Sequence, residues 1–151
     1  MGLGIKWLRR EFHQLSADEL YQLMVFRQKQ LLRIESFRQV DADGLDPLAW
    51  HLMAFDPEQG MVAYARICLP FGTDPELRVD RLLCEPMPGL EAALVAQVLD
   101  TIDHCFKMTV ECEVTDAQLE VLKARGFEMV VDRPASRSGM VSMRREYALE
   151  R

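Results

Sequence analysis

The strongest constraint on this chain lies between residues 77 and 114. LRVDRLLC (77 to 84) reads as a strand and KMTVECEV (107 to 114) as another. Between them Leu90, Ala93, Leu94, Gln97, Val98, Thr101, Ile102 and Cys105 keep one apolar face over about four helical turns. A helix joining two strands of one sheet is a crossover, and a crossover makes the strands parallel.

The remaining segments build around that unit. IKWLRREF (5 to 12) alternates as a first strand. Ser16 and Glu19 form the capping box of a helix whose face carries Leu20, Leu23, Met24, Arg27, Leu31 and Ile34. FRQVDADGLDPL (37 to 48) loses all periodicity and reads as a loop. WHLMAF (50 to 55), the turn DPEQG and MVAYARICL (61 to 69) form a β-hairpin that leads into strand 77 to 84. After strand 107 to 114, TDAQLEVLKARG is a short helix with Thr115 and Gln118 as its capping box and Gly126 just past its end. FEMVV and GMVSMRREY close the chain as two strands joined by the loop DRPASRS. The expected fold class is α/β (α+β): a mixed sheet of about six to seven strands flanked by three to four helices, in a single domain spanning 1 to 151.

Composition narrows the function classes. Of 151 residues 49% are hydrophobic and 28% charged, the profile of an ordinary globular protein. A net charge of −6 argues against nucleic acid as the main partner, since phosphate binding needs a surplus of Lys and Arg. No apolar run is long enough to span a bilayer and the N-terminus lacks a signal-peptide core, so a cytoplasmic protein without membrane partners is expected. Cys68, Cys84, Cys105 and Cys112 show no metal-site spacing, and reduced thiols without a metal are the expectation.

Arg27, the acids of DADGLD, His51 with Leu52, MVAYARICLP, Arg81, LKARGFEMV and SMRRE, taken in that order, resemble strings of the GNAT acetyltransferase superfamily and its ElaA-like branch. Arg27, Asp41, Asp43, Gly44 and Asp46 fall in the branch's order, His51 and Leu52 resemble its HL pair, and MVAYARICLP resembles its LVAYARLL strand. Arg81 resembles the Arg of its GRVVV strand, LKARGFEMV its FYxxxGF turn, and SMRRE its closing GMxR. The resemblance implies acetyl-CoA or another acyl-CoA as co-substrate and direct attack of a small-molecule amine on the thioester. It implies that two parallel strands splay to admit the pantetheine arm, the gap lying between strand 61 to 69 or 77 to 84 and strand 107 to 114, and that a Gly-rich strand-to-helix corner holds the pyrophosphate on backbone N–H groups. The cofactor-binding residues it points to are Leu82, Leu83, Cys84, Gly89, Leu90, Ala92 and Ala93. For proton transfer it leaves Tyr64, His51 and Glu35, with Asp41 as another holder of an ordered water.

The chain departs from that pattern at four positions. Where the corner motif has Arg or Gln, this chain has Pro88, which has no N–H to donate, and Glu91 adds a carboxylate. Leu122 stands where an acid Tyr is expected, and Met140 where the branch carries a His. These departures motivate the alternative, a non-catalytic binding or scaffold protein of the same fold.

Other residues are read against simpler roles. Asp41 and Asp43 have EF-hand spacing, but Leu52 occupies the twelfth position, so DADGLD is expected to be a solvated acidic loop or an attractor of cationic amines. Tyr64 and Arg66 share one side of their strand. Cys84 is expected to be a buried thiol rather than a nucleophile, and His13 and His104 to be structural or solvent-facing. Met129, Met140 and Met143 are candidates for an adaptable apolar groove suited to an acyl chain or a protein, and a homodimer is admitted.

Overall fold

The computed structural model describes residues 4–34, 40–70, 72–73, 75–130 and 140–147. Its elements are β1 (Lys6–Glu11), α1 (Ala17–Leu31), β2 (Ala49–Asp56), β3 (Gly60–Cys68), β4 (Leu77–Cys84), α2 (Leu90–Thr101), β5 (Val110–Val114), α3 (Leu119–Lys123), β6 (Glu128–Met129) and β7 (Val141–Arg145). The seven strands form one sheet in the order β1-β2-β3-β4-β5-β7-β6. Only β4 and β5 are parallel, as the crossover through α2 requires.

Strand alternation divides the core into two faces. One face packs Leu52, Ala54, Val62, Ile67 and Val79 against Leu90, Leu94, Val98 and Ile102 of the α2 segment. The other packs Met53, Tyr64 and Leu83 against Leu23, Phe26 and Leu31 of α1. Helix α1 starts as its capping box dictates: the Glu19 N–H donates to Ser16 Oγ at 3.0 Å, and the Ser16 N–H to Glu19 Oε1 at 3.1 Å. Its buried face takes in Phe26 and Gln30 beyond the expected set.

Three boundaries depart from the sequence reading. The α2 segment leaves α-geometry after Thr101 and continues as a π turn over Ile102–Phe106, which rotates Cys105 out to solvent. Lys107 then takes a left-handed conformation (φ 52°), so β5 begins at Val110 rather than 107. The third helix opens as a 3₁₀ turn at Asp116–Gln118 before becoming α-helical at Leu119. Glu35 and the loop DRPASRS lie outside the described residues.

The feature that shapes the rest is a bulge in β4. Tyr64 of β3 pairs with Leu83 and Arg66 pairs with Asp80, so Arg81 and Leu82 together oppose Ala65. Arg81 absorbs the extra residue with φ 51°, and as a result Asp80 and Arg81 both turn to the α1 face while Leu82 returns to the α2 face. Pairing between β4 and β5 covers only Leu77 with Val110, Arg78 with Glu111 and Val79 with Cys112. From Asp80 to Cys84 the β4 edge leaves β5, and the two strands splay.

Because Arg81 sits in left-handed backbone, glycine suits this position better than alanine, the reverse of the order in a regular strand. Urea unfolding should find Arg81→Gly more stable than Arg81→Ala by about 1 kcal/mol, both lacking the side chain's ion pairs. Equal stabilities, or Ala the more stable, would mean that the bulge is absent.

Candidate active site

The bulge is held by a buried charge network. Arg66, with no exposed surface, donates from Nε and Nη2 to the two carboxylate oxygens of Asp80, both at 2.7 Å. Its Nη1 and Nη2 reach the two oxygens of Asp43 at 2.8 Å each, and Nη1 also reaches Asp46 Oδ1 at 3.1 Å. Arg27, equally buried on α1, donates to Asp46 Oδ1 at 2.6 Å and to Asp41 Oδ1 at 3.0 Å. Arg81 adds a bond to Asp41 Oδ1 at 2.9 Å and one to the Asp41 carbonyl at 3.0 Å.

Three arginines therefore meet four aspartates. Charges this buried are tolerable only when paired and hydrogen-bonded. Asp41 Oδ2 is the exception, a buried oxygen without a hydrogen-bond partner among the described residues. Burial alone would raise the Asp46 carboxyl, but the Arg27 hydrogen bond and the charges of Arg27 and Arg66 outweigh it and hold it below the usual range. Asp43 is lowered in the same way, burial being overcome by its bonds to Arg66. The DADGLD string is thus no solvated loop: its carboxylates turn inward and bind α1 to β3 and β4. Sequence spacing shows the acids but not the arginines that the sheet brings against them.

His51 and Tyr64 lie inside this network with no exposed surface. His51 Nε2 faces the Asp46 carbonyl at 3.0 Å and must carry the proton, so Nδ1 is the acceptor for the Tyr64 hydroxyl at 2.6 Å. Burial pushes the His51 pKa down, which the Asp46 carbonyl and charge only partly offset, and pushes the Tyr64 pKa up. Arg27 Nη1 approaches the same hydroxyl at 3.4 Å, and its guanidinium lies 5.5 Å from the ring centroid. Both candidate proton-transfer residues therefore have their hydrogen-bonding groups occupied by one another and by the backbone.

The opposite side of the bulge offers backbone chemistry. The Glu85 N–H donates to the Val62 carbonyl of β3 at 2.8 Å, so by strand alternation the amides and carbonyls of Leu82 and Cys84 face the splay. At the following corner Gly89 (φ 77°) opens α2 without a side-chain cap. The Leu90 N–H donates to the Met87 carbonyl and the Ala93 N–H to Gly89, which leaves the Glu91 and Ala92 N–H groups as the first-turn donors with no intrahelical acceptor. Glu91 is half-buried and its carboxylate accepts from Gln118 Nε2 at 3.3 Å. Pro88, Gly89 and Ala92 are exposed, Ala93 is half-buried, and Leu82, Leu83 and Leu90 are core residues whose side chains are covered.

Cys84 is half-buried, and burial, with Glu91 and Glu85 nearby, pushes its thiol up to about 11. It is a poor nucleophile at neutral pH. Leu122, at the position of the expected acid, is packed in the core at 1% exposure. Met140 and Met143 are buried while Met129 is exposed, so the three do not line one open groove. Among the described residues no group of three or more His, Cys, Asp and Glu could hold a metal ion. The roles of two residues that meet the end of β4 escaped the sequence reading. Glu85 gathers Gln30 Nε2 at 2.9 Å and Arg33 Nη1 at 3.3 Å, and Gln118, read there only as a cap, donates to the Leu82 carbonyl at 2.7 Å.

Two measurements check the network. Arg66→Met leaves Asp80 and Asp43 buried without their cation, and should cost about 3–5 kcal/mol in urea unfolding; a loss under about 1 kcal/mol would mean the pairs are not buried. The pH dependence has a fixed sign. The His51 pKa lies below its ordinary 6.5 in the folded chain, so the unfolded chain binds the extra proton, and stability present above pH 6.5 is lost as pH falls through the folded value. Asp43 and Asp46, lowered from 3.8, add a second loss below that pH. Stability should decline as pH falls below 6.5 by at most about 1.4 kcal/mol per pH unit for the one imidazole, and His51→Gln should flatten that segment.

No family model matches the chain. UPF0039 protein sll0451 of Synechocystis sp. is 33% identical over 81 residues, which are 54% of this chain and 53% of that protein, so the match spans about half of each. Among solved structures, an acyl-CoA N-acyltransferase from Pseudomonas aeruginosa superposes with a TM-score of 0.79 at 23% identity, over 93% of this chain and 99% of that one. ElaA of Escherichia coli gives 0.80 at 20% identity, with the same 93% and 99% coverage. The chain therefore shares the fold of that N-acyltransferase and of ElaA, the GNAT fold.

Proposed function

We propose that the protein is an acyl-CoA-dependent N-acyltransferase that moves an acetyl or longer acyl group to a small amine. The observation that carries this reading is the splay of β4 from β5 after Val79 and Cys112, which leaves a polar strand edge beside a helix N-terminus. A strand edge is a template for an extended, amide-bearing chain. The pantetheine arm is such a chain, and the pyrophosphate of CoA fits the Glu91 and Ala92 N–H groups at the Gly89 corner. Glu91 does not close that corner, because its carboxylate is engaged with Gln118 along the β4 edge.

In this reading the thioester carbonyl lies against the free backbone N–H groups of β4, which polarise it and stabilise the oxyanion that forms. The amine nitrogen attacks the carbonyl carbon, the C–S bond breaks, and the sulfur takes a proton to leave as free CoA. The amine loses a proton in the same sequence. Glu85, at the β4 terminus and partly exposed, is a more accessible acceptor for it than His51, which is buried with both ring nitrogens engaged. Leu122 supplies no acid, so the thiolate takes its proton from solvent or from the incoming ammonium.

The buried Leu122 also favours a second reading, a binding domain that holds acyl-CoA or a partner without turnover. Calorimetry with acetyl-CoA and longer acyl-CoAs, followed by an assay of thiol release across a panel of amines, separates them. The enzyme reading expects saturable binding, at least tenfold weaker in Gly89→Val, and amine-dependent release of CoA. Binding without release supports the domain reading, and no binding at millimolar ligand removes both acyl-CoA readings.

A further inference from the structure

The open edge of β4 is not empty. Gln118 reaches into the splay from the 3₁₀ turn that precedes α3, and it is buried there. Its Oε1 accepts the Thr115 N–H at 3.0 Å, its Nε2 donates to the Leu82 carbonyl at 2.7 Å, and Nε2 also lies 3.3 Å from Glu91 Oε2. A side-chain amide thus does for Leu82 what a backbone amide of β5 would do had the strands stayed paired. On the core side of Leu82, a space lined by Val79, Cys112, Leu122 and Phe127 measures about 10 Å³, no more than one water needs.

An arm laid along β4 must bond the same carbonyl. Resting on the acyl-CoA reading above, we propose that the Gln118 carboxamide is a resident substitute for an amide of the pantetheine arm, and that acyl-CoA binding displaces it from Leu82. Glu91 Oε2 already accepts from the same Nε2, so Gln118 gives up the carbonyl and keeps the carboxylate as a charge-assisted partner. The release requires only rotation of a side chain that is anchored on a short helical turn. Gln118 therefore sets the affinity for the arm: each binding event loses one good hydrogen bond before it gains its replacement, which weakens binding by a factor of about 5–10. The same residue ties acyl-CoA entry to α3, because its other end is the helix cap.

The test is calorimetry of the full chain with CoA, with pantetheine, and with adenosine 3′,5′-bisphosphate, which lacks the arm. Gln118→Ala should bind CoA and pantetheine about 5–10-fold more tightly than the parent and bind the bisphosphate equally well. Thr115→Ala weakens the cap without vacating Leu82, so it should lower the melting temperature and leave all three affinities in place. If Gln118→Ala does not fold, Gln118→Met keeps the buried volume without a donor and should shift the affinities in the same direction. Equal or weaker CoA binding by the folded Gln118 variant, with the parent still binding CoA, overturns this inference and spares the acyl-CoA reading. Failure of the parent and the variant alike to bind CoA or pantetheine overturns both.

Discussion

Two arginine side chains without exposed surface, Arg27 and Arg66, set the terms for the whole structure. A guanidinium cannot shed its charge at any relevant pH, so its burial demands that carboxylates come to it. Asp80 comes from the neighbouring strand, while Asp43 and Asp46 come from the segment between α1 and β2. Three layers of the molecule are fixed to one another by this requirement. The apolar packing of α1 on the sheet is non-directional, and the ion pairs are what hold one particular arrangement of helix, loop and strand.

The same pairs account for the bulge. Presenting Asp80 to Arg66 and Arg81 to Asp41 from consecutive residues is impossible in a regular strand, where neighbours point to opposite faces. The extra residue at Arg81 solves this at the cost of left-handed backbone, and it bends β4 away from β5. The opening that an acyl-CoA arm would use is therefore produced by electrostatics on the far face of the sheet. His51 and Tyr64, the polar pair that looks most catalytic in sequence, lie buried within this network with their polar groups paired, whereas Gln118 and Glu91 lie along the β4 edge.

Much of the fold was legible because its signals are local. The capping boxes at Ser16 and Thr115, the alternation in LRVDRLLC and the helix spacing after Gly89 each place an element to within a few residues. The crossover rule then makes β4 and β5 parallel without further information. What did not show was whatever depends on distant partners. No local pattern says that Asp41, Asp43 and Asp46 face inward, since an acidic Gly-containing string reads as solvated until the buried arginines are found opposite. Gln118 reads as a helix cap, which it is, and its second bond to Leu82 spans 36 residues of sequence. The π turn that rotates Cys105 outward and delays β5 is set by how the helix end packs, with Trp50 edge-on to Phe106, and leaves no compositional trace.

The central claim is that the β4 edge at Leu82 and Cys84 is a binding edge held open by the Arg81 bulge. Amide hydrogen exchange at Leu82 and Cys84, measured with and without saturating CoA, tests it most directly. The account predicts that both amides gain protection on CoA addition, while those of Leu77 and Val79, at the paired end of β4, do not change. Unchanged exchange at Leu82 and Cys84 in a chain that demonstrably binds CoA would contradict it.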